Sequence, residues 1–234
     1  MITSVNNDEV KEVAKLFTSK GRKEKNMFVV EGPHLVLEAK KCGILLKTYT
    51  TTDKYEGTLV SEVVMKKMCN TITPTTVIGV CKMFENKRSE GHILALDRVQ
   101  DPGNMGSLMR SAVSFGFNTI ILNEGCVDIY NDKVIRSSQG AIFRLSFIKA
   151  NIVEYLSHLQ DYQIFSTNVN LGNDVTKVEK GPKMVLILGN EGQGVSEEIN
   201  KMNYQNLYIP IKKMESLNVS VAGGILMYEL TRSK

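Results

Sequence analysis

From His92 onward the chain alternates short apolar runs with helix-like stretches, and this alternation limits the possible folds more than any other feature. Strand-like runs lie at His92–Leu96, Thr119–Leu122, Tyr162–Thr167, Val185–Leu188 and Asn206–Ile209. Helical patterns lie at Met105–Phe115, Asp128–Ser137, Asn151–His158, Ser196–Lys201 and Val219–Arg232. Strands separated by helices pair in parallel, because a parallel neighbour needs a crossover connection, and the crossovers then cover both faces. The expected class is α/β with a mostly parallel sheet.

The first 90 residues repeat the theme on a smaller scale. Val10, Val13, Ala14 and Phe17 recur at helical spacing, with Asn7 or Asp8 as the cap. Lys20–Lys25 reads as a basic loop, Met27–Val30 as a strand, and Pro33 as the start of a helix that Gly43 ends. A strand at Leu45–Thr51, a helix from Ser61 to about Cys69 and a strand at Val77–Met83 follow. This order implies a small α/β sandwich. The polar stretch Glu85–Gly91 is the linker candidate, giving domains at 1–86 and 91–234.

Charge separates the two parts. Residues 1–90 hold 15 Lys and Arg against 11 Asp and Glu, whereas residues 91–234 hold 14 of each. The excess gathers at Lys20, Arg22, Lys23 and Lys25, with Lys87 and Arg88 further on. Such clusters are docking points for phosphate backbones or simply a solvated surface. No apolar run is long enough to span a bilayer. The opening residues, MITSVNNDEVKEVAKLF, include acidic side chains and no apolar core, so no secretory signal is expected. The four scattered cysteines, Cys42, Cys69, Cys81 and Cys126, suit a reducing compartment. A cytoplasmic protein is expected.

Three segments carry the chemistry, each a strand, then a Gly, Asn, Pro or Ser loop, then a helix. The first is VQDPGNMGSLMRSA from Val99. Pro102-Gly103 signals a turn, Asn104 sits where a helix cap belongs, and Arg110 emerges from the second turn of the helix. A guanidinium there offers fixed forked donors to a phosphate or hydroxyl; a surface Arg behind an Asn cap is the plainer alternative. The second is LILGNEGQGVS from Leu186. Its glycines at 189, 192 and 194 follow G-x-x-G-x-G, not the dinucleotide spacing, which disfavours a nicotinamide oxidoreductase. They instead let a ligand or another segment approach the backbone. The third is LYIPIKKMESLNVSVAGGILMYE from Leu207. Ser216 or Asn218 caps the last helix, and Ala222, Gly223 and Gly224 mark a tightly packed surface such as a helix–helix interface.

Together, in this order and spacing, the segments resemble the SpoU/TrmH family of RNA ribose 2′-O-methyltransferases, within the SPOUT superfamily. The resemblance covers residues 92–234. FVVEGPHLVLEA, at Phe28–Ala39, resembles the family's substrate-binding extension, a ribosomal-protein-like RNA-binding domain. The resemblance implies a catalytic domain with a deep C-terminal trefoil knot and a homodimer through that knotted region. It implies methyl transfer from S-adenosylmethionine to a ribose 2′-hydroxyl in ribosomal or transfer RNA, with no metal. Leu188, Gly189, Asn190, Glu191, Gly192, Ile209, Ile211, Leu217 and Val219 are the cofactor-binding expectation. Arg110, Asn104, Ser216 and Asn218 are the catalytic one, and Lys20, Arg22, Lys23 and Lys25 the RNA-binding one. The position matching Arg110 has been taken as a base in the family. A guanidinium holds its charge in proteins, so a clamp on phosphate and developing alkoxide is the preferred role. His34, His92 and His158 lie outside the motifs and are read as structural. Ile211-Lys212-Lys213-Met214 is one residue shorter than the family's loop and lacks its glycine. A catalytically silent RNA-binding protein on the same scaffold is the competing reading.

Overall fold

The computed structural model describes residues 1–84, 91–168 and 172–232. Most of the expected linker, with Lys87 and Arg88, lies outside the described residues. In chain order the first elements are α1 (Asp8–Lys15), α2 (Ser19–Lys25), β1 (Met27–Glu31), α3 (Pro33–Lys41), β2 (Leu45–Thr50), β3 (Thr58–Leu59), α4 (Glu62–Lys67) and β4 (Val77–Lys82). Then come β5 (His92–Leu96), α5 (Pro102–Ser114), β6 (Phe117–Leu122), α6 (Asp132–Ser138), β7 (Ser146–Lys149) and α7 (Ile152–Ser157). The last are β8 (Gln163–Thr167), β9 (Asn173–Asp174), β10 (Met184–Leu188), α8 (Glu197–Asn200), β11 (Gln205–Tyr208) and α9 (Val219–Thr231).

The chain divides into two compact units, Met1–Glu85 with Asp128–Phe143, and Asn86–Val127 with Arg144–Lys234. The first unit is built on a mixed sheet ordered β1-β4-β2-β3. Val10, Val13 and Leu16 of the first helical segment and Val64, Met65 and Met68 near α4 pack on Val29, Tyr49, Ile78 and Val80 of that sheet. Asn7 caps α1 and Ser61 caps α4 through their side-chain oxygens, as those residue types do.

Two sequence expectations change in this unit. The basic stretch 20–25 is a helix, not a loop, because Thr18 caps it and Asn26 closes it in the left-handed conformation. Residues 128–143, read by order along the chain as part of the catalytic half, belong to this unit. Arg22 ties α2 to this segment. It is buried, donates to the Leu16 and Phe17 carbonyls, and pairs with Asp128 at 2.6 Å. Tyr130 stacks against Phe28 at 4.9 Å, and its hydroxyl accepts from the Phe84 N–H.

The second unit is a seven-stranded sheet, β7-β6-β5-β10-β8-β11-β9, parallel at every pairing. Period-two alternation sends Ile93, Ala95, Val185 and Ile187 to one face, where they meet α7 and α8 through Ile152, Leu156 and Ile199. On the other side α9 packs along α5 and β10. Gly223 shows how closely: a Cβ there would lie 2.5 Å from Leu108 and 2.7 Å from Leu188. The small-residue surface of the last helix therefore serves a helix contact inside one chain.

Candidate active site

β5, β10 and β11 all point their carboxyl ends to one edge of the sheet, the edge where ligands collect in open α/β folds. The three motif loops leave from these ends. The first turns directly into α5. Asp101, not Asn104, is the cap: its carboxylate accepts from the Asn104 N–H at 2.8 Å, and Pro102 sits at the first helical position. Asn104 is thereby freed to use its side chain elsewhere, and Arg110 moves out to the third turn.

The second loop folds back on itself. Asn190 and Gly194 exchange backbone hydrogen bonds of 3.0 and 2.9 Å. A Cβ on Gly189 would meet the Gly194 carbonyl carbon at 2.1 Å, so only glycine fits there. Asp97, fully buried at the end of β5, fastens this loop by accepting from the Ser196 N–H and the Asn123 amide, both at 2.8 Å. Arg98, with a φ of +60°, reaches across to Gln193 at 2.9 Å.

Side chains from all three loops then join in one chain of hydrogen bonds. The Glu191 carboxylate accepts from the Asp101 N–H (3.1 Å), the Gln100 N–H (3.3 Å) and the Asn104 side-chain amide (3.1 Å). The Asn104 carbonyl accepts from the Asn218 amide at 2.9 Å. The Asn218 carbonyl accepts from the Ser220 N–H and hydroxyl at 2.9 and 2.7 Å, capping α9. Partial burial pulls the Glu191 carboxyl upward. The N–H groups and the Asn104 amide outweigh that and hold it below the ordinary value.

Beside this chain lies a cavity of about 650 Å³. All nine expected cofactor residues, Leu188, Gly189, Asn190, Glu191, Gly192, Ile209, Ile211, Leu217 and Val219, line it, as does Ser216. Asn104, Asn218 and Arg110 are not among its lining residues, and Arg110 is exposed on α5. Thr167, Val195, Leu207 and Leu226 also line the cavity and were not expected. Thr167 and Leu207 had a readable signal, since they stand near the carboxyl ends of their strands.

The RNA-binding expectation loses one member. Arg22 is spent on the buried pair with Asp128 and cannot meet a phosphate. Lys20 pairs with Glu24 at 3.8 Å and Lys25 with Glu12 at 2.7 Å, while Lys23 is exposed.

Comparison with known proteins agrees with this geometry. The sequence pattern of the SpoU rRNA Methylase family matches residues 91–228, and that of the MRM3-like substrate binding domain matches residues 7–79. The 23S rRNA (guanosine(2553)-2′-O)-methyltransferase RlmP of Bacillus subtilis is 34% identical, with 98% of each chain covered. The AdoMet-bound rRNA methyltransferase of Sinorhizobium meliloti superposes with a TM-score of 0.86 at 27% identity, covering 98% of this chain and 96% of that one. An RNA 2′-O ribose methyltransferase superposes at 0.83 with 28% identity, covering 98% and 97%.

Proposed function

This chain belongs to the SpoU rRNA methylase family, and on that premise we propose how its residues divide the work of an RNA ribose 2′-O-methyltransferase. The enzyme is S-adenosylmethionine-dependent and methylates a ribose 2′-hydroxyl in RNA. Guanosine in 23S rRNA is the first substrate to test, on the 34% identity to RlmP over nearly the whole chain. A cytoplasmic site of action goes with such a substrate.

The cavity suits the cofactor. Its volume lies within the ~300–1,000 Å³ common for small-molecule sites. Leu188, Ile209, Leu217 and Val219 offer apolar walls for an adenine, and Asn190, Glu191 and Ser216 offer polar groups for the ribose and the charged amino-acid end. When bound, S-adenosylmethionine supplies an already activated methyl. The protein is left to place the ribose in line and to assist loss of the hydroxyl proton. Asn104, Ser216 and Asn218 orient the ribose and Arg110. Arg110 clamps the target phosphate and stabilises developing alkoxide. Lys20, Lys23 and Lys25 carry RNA on the first unit, which is proposed to resemble a ribosomal-protein RNA-binding domain.

Two finer features complete the reading. β11 lies two strands from β10, yet α9, which follows it, packs on α5 and β10. Residues 209–218 must cross back over the strand ends, and we take that crossing to thread the 189–195 loop as a trefoil knot. A homodimer is proposed through α5 and α9, where Val221, Ile225 and Tyr228 are exposed at helical spacing. Such a pairing gives Arg110, outside its own chain's cavity, a second cavity to reach.

The observation that carries the reading is the Glu191–Asn104–Asn218 chain of hydrogen bonds beside the cavity. Calorimetric titration with S-adenosylmethionine tests it. The wild type should bind, and Gly189→Ala, whose Cβ collides with backbone, should bind far more weakly. No binding to the wild type would favour the silent RNA-binding alternative.

A further inference from the structure

The walls of the cavity are short of free cations, because Arg98, the cation that reaches Gln193 and Gly194, is held by them and by Asp97. Across 188–195 and 207–226 the only Lys or Arg residues are Lys212 and Lys213, while Glu191 and Glu215 both line the cavity. Residues 91–234 carry equal numbers of acidic and basic side chains, so this half supplies no net attraction for a polyanion. An RNA strand arriving at the cavity therefore meets carboxylates unless local cations offset them.

Lys212 and Lys213 stand where such cations are needed. Both are exposed, and they are flanked by Ile211 and Glu215, which line the cavity. Among the described residues neither ammonium has a hydrogen bond or ion pair with the protein, in contrast to Lys20 and Lys25. An ammonium on a flexible stem is a point charge that grips phosphate without reading sequence. We propose that Lys212 and Lys213 hold the RNA backbone at the mouth of the cavity, contacting phosphates beside the nucleotide to be methylated. They are positioning residues and do not touch the reacting atoms. This assignment rests on the methyltransferase reading above.

The test measures RNA affinity and KM over a range of salt concentrations for the wild type, the Lys212→Ala/Lys213→Ala double variant and the corresponding double Arg variant. Cofactor affinity is measured in parallel by calorimetry. Two lost contacts to single-stranded RNA should flatten the log–log salt slope by about 1.4 and weaken binding about tenfold near ~0.15 M salt. The loss should fall on KM for RNA more than on kcat, and the Arg variant should recover most of it. An unchanged salt slope would overturn the proposal. So would a loss confined to S-adenosylmethionine affinity, which would give the lysines to the cofactor's carboxylate. A wild type that binds RNA but transfers no methyl would strike the enzymatic reading instead, and the salt slopes would still report on the lysines.

Discussion

Glu191 joins the three loops at the scale of a single residue, because one carboxylate collects donors from the β5 loop and α5 and passes order through Asn104 to Asn218. Its pKa is held below the ordinary 4.5 in the folded protein. A depressed carboxyl stabilises the fold above its unfolded value, and that contribution is lost as pH falls through the folded value. Thermal unfolding of the wild type should therefore show an acid-side decline beginning below about pH 4.5, and Glu191→Gln should flatten that part of the profile. Identical profiles would mean the carboxylate is not coupled to folding. Arg110 calls for a different measurement. If its forked, planar donors hold phosphate and alkoxide, Arg110→Lys should lower turnover by about 10²-fold while the protein stays folded. Turnover near the wild-type level would leave the clamp without support.

Among the elements, α9 shows how packing overrides propensity. Alanine is the better helix former by about 1 kcal/mol at either glycine. At Gly223 a methyl would press on Leu108 and Leu188 at 2.5 and 2.7 Å, and overpacking of that kind costs about 1–3 kcal/mol. At Gly224 the nearest atom, the Ser111 hydroxyl, lies 3.4 Å away. Denaturant melts should thus show Gly223→Ala less stable than the wild type and Gly224→Ala equal or slightly more stable. The reverse order would contradict that packing. The elements also show what the sequence could reveal. Short continuous apolar runs such as Val185–Leu188 and capped helices such as the one after Ser61 were legible from composition and cap chemistry. α2 was not, because SKGRKEK has no apolar stripe and its helix depends on the Thr18 cap and the burial of Arg22. β3 and β9, two residues each, are too short to show alternation, and β7 follows a four-residue 3₁₀ turn with no Gly or Pro between them. In the site, the cavity residues followed from the family resemblance. The same resemblance named Asn104, but its link between Glu191 and Asn218 was not legible, because Asp101 and Asn104 both suit a cap. The Asp101-Pro102 pair, with Pro at the first helical position, was the signal that separates them.

At the scale of the whole molecule, order along the chain misleads at residues 128–143, which build the first unit although they lie between strands of the second. Asp128 is the sharpest probe of this. Replacing it leaves Arg22 buried without its partner, and breaking a buried pair in this way costs ~3–5 kcal/mol. Because Asp128 is about one-third exposed, the lower end of that range applies. Asp128→Ala should lower the stability of the first unit, read by hydrogen exchange at α2 and β1, and a change below about 0.5 kcal/mol would contradict this. RNA methylation is the property on which all of these parts converge. The most direct measurement incubates the protein with S-adenosylmethionine and 23S rRNA and maps ribose 2′-O-methyl groups along the product. We expect a discrete new 2′-O-methylguanosine that disappears with Asn104→Ala. A protein that binds S-adenosylmethionine and RNA yet leaves every ribose unmethylated would contradict the central claim, as would methylation found only on bases.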